Sequence, residues 1–338
     1  MGVEDQALAG YHDTSSVLSL NDRAAAIVEG MIAGAAGLGI VVTRLTNGAT
    51  VVDCGARTVG SAEAGRLYAE ACMAGLGDVR LTVVDVGGWS WPGVEVDVRH
   101  PLLACMGSQL AGWAVMVPAD GDVHGFYALG SGPARALCRR EPVFERIPHR
   151  EQASAAVLCM ETWDLPPAHA ALWIAEGCCR ATAEGLYLLV APTASLAGSV
   201  QVAARVVETA LYKLYRSGFD LTRVVAASGS CPVAPVSADD LAAVGRTNDG
   251  ILYGGRVWLT VTCDDGAIEG VLGRLPSSAS ADYGVLFGRL YEQACADFYE
   301  IDPLLFSPAE VWITNATSGR TFHAGRLAPE LVRASFLE

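Results

Sequence analysis

A chain of 338 residues exceeds the roughly 100–200 residues of one domain and predicts two lobes. Hydrophobic residues make up 51% and charged residues 18%, which excludes a disordered chain. The net charge of −14 and the pI near 4.8 speak against a nucleic-acid surface, which needs clustered Lys and Arg.

Residues 1–18 read as an N-terminal tail, polar and irregular through most of its length. Ser19 or Asn21 caps a helix through Gly34, with Ala24, Ile27, Val28 and Met31 at helical spacing. Ile40 to Leu45 and Thr50 to Cys54 read as strands joined by an Asn47-Gly48 hairpin. A helix over Gly65 to Ala74 follows. Leu81 to Val86 and Val94 to Val98 are predicted strands, separated by Gly87-Gly88 and Pro92-Gly93. Strands Gly112 to Val117 and Gly125 to Leu129 flank a Pro-Ala-Asp-Gly turn. Gly130-Ser131-Gly132-Pro133 then opens a helix through Arg140.

Ala155 to Glu161 reads as a strand, Pro166 to Ala181 as a helix and Gly185 to Val190 as a buried strand. A long helix, Ala194 to Gly218, comes next. Beyond it, Val224 to Ala227, Ile251 to Leu252 and Arg256 to Cys263 read as strands, with a short helix over Asp239 to Val244. Asp282 to Phe298 reads as helix, and a hairpin across Thr317-Ser318-Gly319 joins Val311–Asn315 to Arg320–His323. The order predicts a mixed, layered α/β fold, neither Rossmann nor TIM barrel. Gly65 to Cys72 and Gly288 to Cys295 share six of eight residues. Duplication and chance both remain open as explanations.

The chain shows no run of 18 apolar residues and no signal-peptide pattern, so we expect a cytoplasmic protein without membrane contact. Its ten cysteines form no C-x-x-C pair and read as buried free thiols in a reducing compartment. A zinc site is the sharper alternative, but ligand spacing is missing. The six histidines show no paired spacing and no nucleophile signature, against a histidine-based hydrolase.

The Ala194–Gly218 segment carries the densest chemistry. Thr193 or Ser195 can cap its start, and Gly218 can end it in a left-handed conformation. It is apolar almost all round, as a buried helix is. Yet Gln201, Arg205, Glu208 and Tyr212 fall on one line along one face. Two readings stay open: an internally paired or exposed Arg205–Glu208 bridge, or a charged pair facing a substrate pocket. The Gly130–Arg135 turn is likewise either an anion-attracting helix start or a glycine-rich turn needed for backbone geometry. Ser108 and Gln109 are pocket donors and acceptors or simple turn residues.

Taken in order, a set of motifs closely resembles the methenyltetrahydromethanopterin cyclohydrolase family. They are Ser19-Leu20-Asn21, Asn47 to Gly55, Gly107-Ser108-Gln109, Gly130 to Ala136 and Ala191 to Ser195. Gly198 to Gln201, Ala204 to Thr209, Thr247-Asn248-Asp249, Pro276-Ser277-Ser278 and Asp282-Tyr283-Gly284 complete it. The resemblance spans residues 19–336. It implies reversible hydrolysis of the methenyl to the formyl form of tetrahydromethanopterin, without metal or organic cofactor. It also implies a homotrimer of two-lobed subunits, with the pocket between lobes whose boundaries need not be continuous. By the same resemblance Arg205 and Glu208 are the catalytic pair. Ser108, Gln109, Ser131, Gly132, Arg135, Thr193, Ser195, Ser199, Gln201 and Asp240 are the expected substrate-binding residues. Two alternatives stand beside it: a non-catalytic pterin-binding protein, and a cyclohydrolase acting on methenyltetrahydrofolate. The intact pair speaks against the first, and the missing dinucleotide fingerprint against the second.

Overall fold

The computed structural model describes residues 19–119, 124–295 and 300–337. The expected N-terminal tail and part of the Pro-Ala-Asp-Gly turn lie outside the described residues. Helix α1 (Leu20–Ala33) and the single turn α2 (Ala35–Leu38) lead into the hairpin β1 (Val41–Arg44) and β2 (Thr50–Asp53). Then come α3 (Ala62–Cys72), the hairpin β3 (Gly77–Val86) and β4 (Trp89–Arg99), and a π-helical segment, Leu102–Gln109. Strands β5 (Trp113–Val117) and β6 (Phe126–Ser131) precede the short α4 (Ala134–Cys138). Next are β7 (Ala156–Glu161), α5 (Ala168–Gly177), β8 (Leu186–Val190), α6 (Leu196–Ala203) and α7 (Val206–Arg216). The remainder is β9 (Val224–Pro232), α8 (Asp240–Gly254), β10 (Arg256–Val261), α9 (Asp265–Leu272) and α10 (Phe287–Gln293). Strands β11 (Glu310–Asn315) and β12 (Thr321–Gly325) and the helix α11 (Pro329–Leu337) close the chain's described part.

The strands form two six-stranded mixed sheets, ordered β1-β2-β8-β7-β6-β5 and β12-β11-β10-β9-β4-β3. Neither closes into a barrel. The layered α/β expectation therefore holds. Each sheet draws on two separate stretches of chain, since β3 and β4 leave the first set of strands to join the second. In the first sheet β2, β8 and β7 run parallel. Parallel strands are covered on both faces, and the side chains of β8 alternate accordingly. Leu186, Leu188 and Val190 join the core under α5, while Leu189 joins the core under α1 and α3. The motif Ser19-Leu20-Asn21 starts α1 against Glu151, whose carboxylate accepts from Ser19 Oγ and from the Leu20 and Asn21 amides.

The second sheet presents its inner face to α7. Val206, Val207, Ala210 and Leu214 share one core with Val96, Val98, Val257 and Leu259. Helix α6 meanwhile packs on α3, so closely that a Cβ on Gly65 would lie 2.7 Å from the Ala197 carbonyl. The α6–α7 pair thus spans from the α3 layer of the first sheet to the face of the second. The internal echo falls on α3 and α10, and both make close helix contacts; a Cβ on Gly245 of α8 would lie 2.9 Å from Gly288 Cα. The two sheets differ in strand direction, however: β7 and β8 are parallel, β9 and β10 antiparallel.

Several local expectations need correction. The predicted single helix Ala194–Gly218 bends at Ala204 and Arg205, where ψ rises to −4° and 0°. The Arg205 amide bonds back to Val202 rather than Gln201, and the Gln109 side chain donates to the Ala204 carbonyl. A polar partner from another segment thus replaces a helical bond. Pro92-Gly93 lies inside β4, with Pro92 paired to Val83, so Gly87-Gly88 alone makes the turn. Ile251 and Leu252 belong to the fifteen-residue α8, because buried apolar runs look alike in strand and helix. The helix expected over Asp282 to Phe298 covers only Phe287–Gln293, and its predicted end lies outside the described residues. The helix after Gly130 stops at Cys138, since Arg139 is left-handed with φ 48°. Among the described residues no helix is long and apolar enough to cross a membrane.

Candidate active site

Sheet register and the α6–α7 bend bring six polar residues together. Strand β6 ends on Ser131, β7 ends on Glu161, and the π-helical segment ends on Gln109. Gln201 comes from α6, Arg205 from the bend and Glu208 from the first turn of α7. Arg205 is the hub. Its Nη1 donates to the Gln109 carbonyl (2.7 Å), its Nη2 to Ser131 Oγ (3.0 Å) and its Nε to Gln201 Oε1 (3.1 Å). Nη2 also lies 3.1 Å from Glu161 Oε1, while Nη1 lies 3.7 Å from Glu208 Oε2. The guanidinium's contact with Glu208 is therefore the longest of the set and exceeds ordinary hydrogen-bond length.

Both charges are buried. Burial pushes the Glu208 carboxyl up to about 7, with Glu161 adding to the shift and Arg205 and Arg135 opposing it. Arg205 is held above its usual value: burial opposes its charge, but carboxylates led by Glu161 outweigh that. Such opposed environments, a carboxyl near neutrality beside a permanent cation, mark acid–base sites. Two amide atoms nearby are buried without a hydrogen-bond partner, Gln109 Oε1 and Gln201 Nε2. Their orientations are fixed by the bonds each amide's other end makes to the Ala204 carbonyl and to Arg205. Unpaired buried donors and acceptors are costly, so each of these atoms would gain from a polar partner.

The other expected residues fall into different places. Thr193 Oγ1 donates to Glu161 Oε2 (3.1 Å) and so reaches the hub at one remove. Ser108 Oγ donates to the Cys72 carbonyl, and its own carbonyl accepts from Gly132 N and Arg135 Nη1. Arg135 is fully buried and also pairs with Glu141, bracing the Ser108–Gln109 segment from behind. The Gly132 amide is thereby occupied, the Arg135 and Ala136 amides bond back to the Gly132 and Pro133 carbonyls, and α4 has only five residues. Ser195 caps α6 by accepting from Gly198 N, and Ser199 Oγ donates to the Ala234 carbonyl. Asp240 is exposed and accepts from Trp163 Nε1 (2.7 Å). Asp249, of the Thr247-Asn248-Asp249 motif, receives the Phe287 amide and Ser335 Oγ, joining α8 to α10 and α11.

Sequence reasoning missed Glu161 and Tyr68. Glu161 closes a buried parallel strand, and the carboxyl ends of such strands are where ligands bind; that signal was present. Tyr68, on α3, is fully buried with an unpartnered hydroxyl, and its pKa is raised by burial first and then by Cys159, Cys72 and Glu161. No sequence pattern marks it. Among the described residues no group of three or more His, Cys, Asp or Glu side chains is placed to hold a metal ion. An open groove of about 680 Å³ between the β3–β4 turn and α11 is lined by Glu330 and Arg333 among others, and includes none of the hub residues.

Comparison with known proteins points the same way as the geometry. The sequence profile of the family described as "Cyclohydrolase (MCH)" matches residues 19–336. A protein of Methylobacterium sp. (strain 4-46) named methenyltetrahydromethanopterin cyclohydrolase is 45% identical over 94% of this chain and 97% of its own length. Proteins of the same name from Methanocaldococcus jannaschii and Methanothermobacter marburgensis are 41% and 42% identical, covering 94% and 95% of this chain and 98% and 99% of theirs. With the match running from the first turn of α1 to the last turn of α11, the chain belongs to the methenyltetrahydromethanopterin cyclohydrolase family.

Proposed function

We propose that this protein catalyses the reversible hydrolysis of 5,10-methenyltetrahydromethanopterin to formyltetrahydromethanopterin in tetrahydromethanopterin-linked one-carbon metabolism, including methylotrophy. The observation that carries the reading is Glu208: a buried carboxyl near neutrality, 3.7 Å from a fully engaged arginine. The substrate's methenyl carbon belongs to an amidinium cation and is already electrophilic. Water adds to it as Glu208 takes a proton. Protonated Glu208 then gives a proton to the departing arylamine nitrogen, and that C–N bond breaks. The formyl group stays on the pterin-ring nitrogen. One of the water's protons ends on the arylamine and the other is released. A carboxyl with a pKa near the working pH serves both halves of this exchange. Gln109 Oε1 and Gln201 Nε2 supply the acceptor and donor that a pterin edge or the reacting water requires.

Assembly as a cytoplasmic homotrimer belongs to the same proposal and is supported by family membership alone. The test of substrate is the loss of methenyl absorbance, run with the methanopterin and folate derivatives side by side. Hydrolysis of the methanopterin derivative with strong preference is expected; equal rates, or activity on folate alone, would overturn the assignment. The proposal includes no metal or organic cofactor, because the carbon needs no further activation. Activity should therefore survive exhaustive chelation and desalting, whereas a loss restored by one added metal would contradict it.

A further inference from the structure

We propose that Glu161 is a positioning residue that draws the Arg205 guanidinium to itself and so keeps Arg205 from closing a tight ion pair on Glu208. The proposal rests on the reading of Glu208 as the proton carrier. Both oxygens of Glu161 are committed: Oε1 to Arg205 Nη2 and Oε2 to Thr193 Oγ1, each at 3.1 Å. Its backbone is fixed by pairing with Leu129 on β6. Ser131, Gln201 and the Gln109 carbonyl take up further guanidinium N–H groups. Arg205 is thereby held by four other partners, its Nη1 by the Gln109 carbonyl among them, and that nitrogen stays 3.7 Å from Glu208.

A close, hydrogen-bonded arginine would hold Glu208 ionised. A carboxylate held that way takes up a proton poorly and is seldom protonated at neutral pH. Glu161 opposes that outcome twice, by engaging the cation and by repelling the second carboxylate, a contribution that raises Glu208. The remaining groups around the pair do not duplicate this. Arg135 on α4 favours the charge on Glu208 but is tied to Glu141. Cys105, on the π-helical segment, is neutral and buried, its thiol pushed up by burial and then by Glu208. Tyr68 and Cys159 face Arg205 with raised pKa values, each pushed up first by burial. Cys72 is brought down to about 7: burial raises it, but a Cys159 hydrogen bond and the Arg205 charge outweigh that.

The proposal is tested by infrared titration of the full-length protein, with Glu208→Gln as the reference that isolates the Glu208 carboxyl band. This readout needs no turnover, so a wrong assignment of the reaction cannot imitate a failure here. In Glu161→Gln the Glu208 midpoint should fall by at least about one pH unit, the size an unopposed cation imposes. Thr193→Val, which releases Glu161 without removing its charge, should shift it in the same direction by less. The acid limb of kcat/KM for hydrolysis should move down with the midpoint, and cyclisation at neutral pH should slow. An unchanged midpoint in Glu161→Gln, or in Thr193→Val should Glu161→Gln not fold, overturns the proposal.

Discussion

Glu208→Gln should turn over at least about 10²-fold more slowly than the wild type while folding normally, since general acid–base groups contribute about 10²–10⁴-fold. The lower bound corresponds to roughly 2.7 kcal/mol in the barrier. Glutamine keeps the size and hydrogen-bonding capacity of the side chain but cannot accept a proton. Substrate should still bind, more weakly, because a cation loses a nearby anion. The buried position of Glu208 also separates this outcome from its rival. If the residue served only as a structural bridge to Arg205, removing its charge would lower the melting temperature and leave turnover per folded molecule near normal. Turnover and thermal melting measured on one preparation distinguish the two.

Arg205→Ala should harm both chemistry and stability. The guanidinium reaches Gln201, Ser131, the Gln109 carbonyl and Glu161 at hydrogen-bonding distance. Removing it takes the shared cation from the buried Glu208 and the partly buried Glu161 and strands several polar partners. Breaking a buried ion pair by deleting one member costs about 3–5 kcal/mol, so a clear drop in melting temperature is expected. Turnover should fall at least about 10²-fold, the scale of a lost acid–base group. Glu208 then has no counter-charge to orient it, and repulsion from Glu161 favours its protonated form. Arg205→Lys should recover little, because a point charge cannot replace the five-donor planar fork. An Arg205→Ala protein with near-normal turnover would show that the hub is structural.

Much of this arrangement was legible in the sequence, for identifiable reasons. Asn47-Gly48 marks its hairpin because that turn demands left-handed residues, and Gly48 has φ 90°. The apolar runs of β7 and β8 announce strands covered on both faces. Gln201, Arg205 and Glu208 were placed on one face by helical spacing, and they do meet, although through a bend rather than a straight helix. That bend depends on Gln109, 95 residues away in sequence, which no local pattern reports. Glu161 carries a sequence signal, the carboxyl end of a buried strand, but its contact with Arg205 comes from the fold. Asp240 illustrates the converse. Its neighbourhood in sequence suggested the pocket, whereas its carboxylate meets Trp163 at the surface.

The most direct measurement is the pH dependence of methenyl hydrolysis, followed by absorbance in the wild type and in Glu208→Gln together. With Glu208 titrating at about 7 and acting as the base when ionised, kcat/KM should be level above that pH and fall about tenfold per unit below it. Glu208→Gln should show the lower rate without that limb. A limb shared equally by both proteins, or a flat wild-type profile through neutrality, would contradict the account and place the proton transfer on another residue.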